Sequence, residues 1–334
     1  MSLFLVIFAI LVILFFYKRT HYPIDLVYLW VDGTDPQWKQ KKEYWKKKFN
    51  ITNPYSIGDI RFQENDELKY SLRSVELYMP WIHKIFIVTD NQIPKWLNIK
   101  HPKIRIIDHK DIFPTDALPT FNSMAIETRL PFIPELNEHF IYTNDDIFVN
   151  APVTKNLLFT KFGKPILYNN RRYEAFYKMF LSSKQNKFHI NQNTIGSEIH
   201  KNIYKIKTKK IFCGTHTVTS YRKSSYLKNL KILGEYITKT TYSKFRFSSD
   251  IYRGIFDIPD NLKHRNIIKD AHKGIPKNCK FKVFGIVAEN IEDIKKQEPC
   301  FFCLNNISIL PQEQAQQQKD YLKERYPKKS SFEK

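Results

Sequence analysis

The sequence predicts an α/β protein built on a Rossmann-like, mostly parallel and doubly wound sheet, and three observations predict it. Continuous apolar runs recur, each closing on acidic or polar residues: "IDLVYLWVD" from residue 24, "KIFIVTD" (84–90), "KIRIIDH" (103–109) and "EHFIYTNDD" (138–146). Runs of this kind are strands buried on both faces, which is the signature of a parallel sheet. Between them lies helical spacing, and the polar residues collect at the strands' carboxyl ends, where open α/β sheets hold their ligands.

Taken in order, the chain opens with "MSLFLVIFAILVILFFYKR", about 16 apolar residues closed by Lys18 and Arg19, the short end of what spans a bilayer. It lacks a basic n-region and a small-residue cleavage site, so residues 1–19 are expected to be an uncleaved single-pass membrane anchor. The positive-inside rule then leaves the body in the cytoplasm; a signal anchor with a lumenal (Golgi or ER) body is the alternative, which the sequons at Asn50 and Asn306 would suit. After the first strand, Asp32-Gly33 and Asp35-Pro36 are turn formers. Leu68, Leu72, Val75 and Met79 mark a helix that Pro80 ends, and "SMAIETRL" is a short helical stretch before Pro131. Beyond residue 165 the clearest helices are "YRKSSYLKNLKILGEY" (221–236) and the polar "EQAQQQKDYLKERYP" (313–327). Residues 24–160 are expected to form the nucleotide-sugar-binding half and 161–334 to complete the site.

The formal charge of +21 favours a phosphate-bearing partner: nucleic acid, anionic lipid or a nucleotide-linked substrate. Zinc-finger spacing and RNP-type aromatic motifs are missing, which argues against nucleic acid, and Lys-rich clusters such as "KQKKEYWKKKF" are mostly solvated faces. Four cysteines, Cys213, Cys279, Cys300 and Cys303, are too few for a disulfide-built fold; they read as buried thiols, one or two disulfides, or a four-cysteine zinc site.

Candidate chemistry starts at "YTNDD". Asp145 and Asp146 are hard oxygen donors that suit Mg²⁺ or Mn²⁺ against a diphosphate, though Asn-Asp-Asp is also good turn chemistry and the segment alone favours the turn. Asp32, Gly33 and Asp35 follow the first strand, where a nucleotide commonly lies, while the absence of GxGxxG and Walker patterns disfavours dinucleotide and P-loop modes. Arg61 and Asp90 are candidates for phosphate and ribose contacts. Taken alone, His216 in "CGTHTVTSYRK" is a structural histidine and Arg246 in "SKFRFSSD" a cation packed on rings.

These segments become linked through "IDLVYLWVDGTDPQW", "RFQENDELKYSLRSVELYMPWIHKIFIVTDNQIPKWLN", "LPTFNSMAIETRLPFIPELNEHFIYTNDDIFV" and "YPKKSSFE", which occur in that order. Together they resemble the blocks of the Stealth family, which comprises bacterial capsular polysaccharide phosphotransferases and the catalytic subunit of eukaryotic N-acetylglucosamine-1-phosphotransferase. The resemblance runs from about residue 24 to 333 and is densest in the first half. It implies a glycosyltransferase-like core, a divalent metal (Mg²⁺ or Mn²⁺), a UDP-sugar donor with UDP-N-acetylglucosamine foremost, and a glycan or polysaccharide acceptor. It further implies that Asp145 is a catalytic or metal-binding carboxylate with Glu127 as its partner. Asp32 would lie in the nucleotide-sugar pocket, His216 would be a proton acceptor or phosphate ligand, and Arg246 a phosphate clamp. The chain departs from the family in following His216 with "TVTSYRK" rather than Pro or Met, in carrying "CLNN" where Asn-Asp is usual, and in lacking large inserted modules. Two other readings suit part of the pattern: a metal-dependent glycosyltransferase releasing UDP, and a non-catalytic, membrane-anchored basic binding protein.

Overall fold

The computed structural model describes residues 6–8, 22–169, 216–247, 250, 268–270, 280–304 and 310–334. Its strands are β1 (Ile24–Leu29), β2 (Ile85–Thr89), β3 (Ile104–Asp108), β4 (His139–Asn144), β5 (Ile147–Val149), β6 (Leu167–Asn169), β7 (Thr219–Arg222), β8 (Ile268–Asp270), β9 (Val283–Val287) and β10 (Pro299–Cys303). All four apolar runs become neighbouring strands of one five-stranded sheet, ordered β3-β2-β1-β4-β7. The first four are parallel, and β7 closes the edge antiparallel to β4. Every residue of β1 and β2 is buried, which is why those runs show no polar alternation.

Both faces are covered. The two-residue period sends Ile24, Leu26 and Tyr28 to one face, against Leu68, Leu72 and Val75 of α2 (Glu67–Tyr78). Val27, Phe86, Phe140 and Tyr142 face the other way, onto Ala125 and Ile126 of α3 (Ser123–Glu127) and Tyr226, Leu230 and Leu233 of α4 (Lys223–Thr241). The helical phase of α4 breaks at Gly234, whose φ of 37° kinks it. A three-stranded sheet, β5-β10-β9, packs beyond α2, with β10 antiparallel to β5 and parallel to β9. Sheet members thus come from either side of residue 160: β7 joins the first four strands, and β5 pairs with β10.

The Lys-rich segment 39–49 lies largely on α1 (Pro36–Lys48), a helix whose lysines are mostly solvated. Lys42 is the exception. Only 2% exposed, it donates to Ile57 O at 2.8 Å and Asp59 Oδ1 at 2.6 Å beneath the Phe62 ring. The expected helices at 221–236 and 313–327 are α4 and α6 (Gln312–Arg325), and between them lies α5 (Ile291–Gln297).

One expectation needs correction. No helix among the described residues is long and apolar enough to cross a membrane, so the single-pass anchor over 1–19 is not supported. Only residues 6–8 of that stretch are described, as helix; the rest of it, like Cys213, Cys279 and the Asn306 sequon, lies outside the described residues. An apolar run of that length is at the margin for a span, so hydropathy alone was a weak warrant.

The carboxyl-terminal block is clamped onto α2. Arg73 donates Nε to Glu333 Oε1 and Nη2 to Glu333 Oε2, both at 2.8 Å, and Nη1 to Tyr326 O at 2.9 Å. The side chains are 13% and 2% exposed, so cutting one partner strands a buried charge. Arg73→Ala should therefore cost about 3–5 kcal/mol in chemical denaturation. The exposed Lys282–Glu298 pair sets the contrast: Lys282→Ala should cost less than about 1 kcal/mol.

Candidate active site

The chain winds outward from β1 through β2 to β3, then returns to the other side of β1 as β4. A crevice results where the carboxyl ends of β1 and β4 diverge, the position at which α/β sheets hold ligands. There a cavity of about 200 Å³ opens, lined by Trp30 and Val31 after β1, Asp90 after β2, His109 after β3 and Asn144, Asp145 and Asp146 after β4. Arg61, Phe121, Ser123 and Arg246 close it from the loops.

One wall is acidic. Asp145 continues the β4 face that looks toward α2, and Glu67 begins that helix. Burial, reinforced by the charges of Asp146, Glu67 and Glu64, holds the Asp145 carboxyl well above the usual range. Glu67 is pushed up to about 7 by burial and by Glu64. Glu64 is also raised, chiefly by burial, although its Oε2 accepts from Trp30 Nε1 at 2.6 Å. Sequence reasoning took "RFQENDELKY" only for Arg61 and a helix; the Glu64 and Glu67 carboxylates, three residues apart just ahead of the apolar stripe, were the missed signal.

The other wall is cationic. Arg246 arrives on the segment after α4, which is bound to the start of α3. Phe121 N donates to Lys244 O at 2.7 Å, Phe245 stacks on Phe121, and Asn122 Nδ2 donates to the buried Asp250 at 2.8 Å. Asn122 also caps α3 through Met124 N. Arg246 Nη2 donates to Ser123 Oγ, and Arg61 lies near enough that burial and the Arg246 charge pull its guanidinium down to about 9. Two guanidiniums held together in this way make a receptor for a polyanion.

Arg61, Asp90, Asp145, Asp146 and Arg246 thus meet in one cleft. Asp90 forms an ion pair with Lys41. Asp32 and Asp35 engage their own loop: Asp32 Oδ1 accepts from Thr34 N at 2.8 Å, and Asp35 Oδ1 accepts from Trp38 N at 2.9 Å to cap α1. Gly33 is required by close approach, since a Cβ there would lie 2.2 Å from Phe62 O. Glu127 sits behind the lining, where the Tyr142 hydroxyl lies 3.0 Å from Glu127 Oε1 and 2.8 Å from Asn144 Oδ1. His216 stands beside Asp146 and Cys303, outside the cavity lining. Nothing in the sequence joined Cys303 to this site.

The carboxylates suit a divalent cation, because burial first and their mutual repulsion second raise their pKa values, and a cation would offset both. Ligand atoms of Asp146, His216 and Cys303 all lie within 4.8 Å of one another.

Comparison with known proteins gives independent bearings. Residues 22–50 match the family model for Stealth protein CR1, conserved region 1, and residues 61–166 that for CR2, conserved region 2. The capsular polysaccharide phosphotransferase fcs1 of Haemophilus influenzae is 33% identical over 300 residues, covering 87% of this chain and 80% of that protein. The capsular polysaccharide phosphotransferase LcbA of Neisseria meningitidis is 33% identical over 246 residues, 71% of this chain and 64% of LcbA. The exopolysaccharide phosphotransferase cps2G of Lactiplantibacillus plantarum is 46% identical over 144 residues, 43% of this chain and 41% of its own. Among solved structures, the galactosyltransferase LgtC with donor and acceptor sugar analogues aligns with a TM-score of 0.48 at 10% identity over 91% of this chain and 95% of LgtC. So loose a likeness adds nothing to the strand order.

The acidic wall has a pH signature. Glu67 binds its proton more tightly folded, at about 7, than at the ordinary 4.5, so its contribution is fully present below pH 4.5 and is lost as pH rises through about 7. The loss amounts to at most about 3 kcal/mol. Denaturation in the presence of a chelator should show stability falling over that window, and Glu67→Gln should flatten the slope.

Proposed function

The chain belongs to the Stealth family, and from that premise we propose that this enzyme transfers a hexose or N-acetylhexosamine 1-phosphate from a UDP-sugar, UDP-N-acetylglucosamine foremost, to a hydroxyl of a glycan acceptor. The observation that carries the reading is the pairing of Arg61 and Arg246 opposite Asp145 across a single cleft at the sheet's reversal point. A diphosphate needs cations around its non-bridging oxygens, and an attacking hydroxyl needs a proton acceptor on the other side.

The step follows from those residues. The acceptor oxygen attacks the β-phosphorus in line, a new P–O bond forms, and the bond from that phosphorus to the bridging oxygen breaks, releasing UMP. Asp145, ionised once a cation or the donor relieves the neighbouring carboxylates, takes the hydroxyl proton. Arg61 and Arg246 stabilise the charge on the transferring group, and Ser123 fixes the angle of Arg246. Glu127 orients the floor through Tyr142 and Asn144. Asp90, which lines the cleft, would meet the ribose, and Asp32, Gly33 and Asp35, outside the cavity lining, would hold the shape of the loop beside the nucleotide. A divalent cation held at Asp146, next to Asp145, would neutralise charge on the leaving phosphate.

Attack at the sugar carbon instead would release UDP and leave no phosphorus in the product. Chromatography of the nucleotide and phosphorus NMR of the glycan should give UMP and a phosphodiester; stoichiometric UDP with a phosphorus-free product would make the enzyme a glycosyltransferase. Arg246→Ala should lower turnover by about 10³-fold while the protein stays folded, the scale of a lost transition-state arginine. Near wild-type turnover would remove Arg246 from the mechanism.

A further inference from the structure

Asp146, His216 and Cys303 are brought together by backbone constraints from three separate parts of the chain. Cys303 pairs with Ile147 in the β10–β5 register, and Leu304 N donates to Asp146 O at 3.1 Å, which fixes the thiol beside the carboxylate. Thr217, next to His216, packs against Gly285 of β9 so closely that a Cβ there would meet Thr217 Cγ2 at 2.4 Å. The three donor atoms therefore lie within 4.8 Å of one another. Cys303 is fully buried, and its Sγ donates to Asp146 Oδ2 at 3.3 Å. Tetrahedral zinc, with Zn–S about 2.3 Å and Zn–O about 2.0 Å, separates those two atoms by roughly 3.5 Å. The thiol proton thus occupies the space an ion would take.

We propose that these three residues form a zinc-type metal site, with Asp146 Oδ2, an imidazole nitrogen of His216 and the Cys303 thiolate as ligands and a fourth position open. The donor set decides the ion: carboxylate alone would suit Mg²⁺ or Mn²⁺, but imidazole and thiolate select a borderline-soft cation. Three protein ligands with one open position is the arrangement of catalytic rather than structural zinc. Because Asp146 also lines the cleft, the ion sits in its wall, so the inference deepens the transferase reading and rests on it for any catalytic role. Binding displaces the Cys303 proton to solvent, so affinity rises with pH.

The test uses the full chain, freed of metal by a chelator and titrated with Co²⁺ and Zn²⁺. Wild type should bind one equivalent of Co²⁺ with a sulfur-to-cobalt charge-transfer band, and Zn²⁺ should displace it. Cys303→Ser should abolish the band. His216→Gln, at a half-buried position, should keep the fold and weaken Zn²⁺ binding by at least about a hundredfold, since losing even an outer-shell partner costs about 10- to 100-fold. Cys300→Ser, altering the neighbouring buried thiol, should leave the band in place. A wild-type Co²⁺ complex without the band, or a band that survives in Cys303→Ser, overturns the site. UMP release supported by Mg²⁺ alone in a protein without the band sinks this proposal and leaves the transferase reading standing; UDP release with the band intact does the reverse.

Discussion

The parallel pairing of β1 with β4 is the constraint on which the rest depends. Six residue pairs, from Ile24 with His139 to Leu29 with Asn144, set the register of two strands far apart in sequence. A slip of one residue would exchange the faces of β4, turning Tyr142 toward α2 and Asp145 toward α3. Held in register, the pairing leaves β1 and β4 to diverge at the same height, with Trp30 and Val31 across the crevice from Asp145 and Asp146. Helices on both faces lock it, because neither face of these strands tolerates water.

Within that frame the cleft separates its charges. Carboxylates from the α2 side and guanidiniums from the α3 side each repel their own kind, and burial worsens both. Such a site is costly to the apo fold and is retained where a ligand completes it. Surrounding contacts carry the cost: Tyr28 holds Ser71 of α2 at 2.8 Å, Ser71 Oγ donates to Ile147 O at 2.5 Å, and Asn122 ties Asp250 to the α3 cap. Lys42 shows the same logic outside the cleft, a buried ammonium accepted because two oxygens and an aromatic face surround it.

The strands and α2 were legible because burial on two faces writes continuous apolar runs, and burial on one writes a helical stripe; Val27 and Leu68 are recognisable without a partner. The site was legible where residues lie at strand ends, as Asp90 and Asp145 do. Glu64 and Glu67 escaped because their role arises only when α2 packs beside β4. Cys303 escaped because its neighbour Asp146 is a partner across a sheet, and no local pattern encodes that. The α1 lysines illustrate the converse: composition reads them as one solvated face, yet tertiary packing withdraws Lys42. Asp35 belongs to a loop whose turn chemistry was evident, but its helix-capping role emerged only with α1.

The stacking of Phe245 on Phe121 and the bond from Asn122 to Asp250 also bear on how the protein is made. Arg246 leaves the ribosome about a hundred residues after Asp145, and Cys303 later still. A nascent chain can therefore form the parallel strands and their acidic wall before the arginine segment exists to face it. During that interval the segment leading into α3 lacks the stacking partner of the Phe121 ring, and the Asn122 amide at the helix cap has no Asp250 to receive it. Docking of the late segment covers the ring and completes the cationic wall in one event, so the two-walled cleft is finished only as a late step of synthesis, after the parallel strands have been laid down.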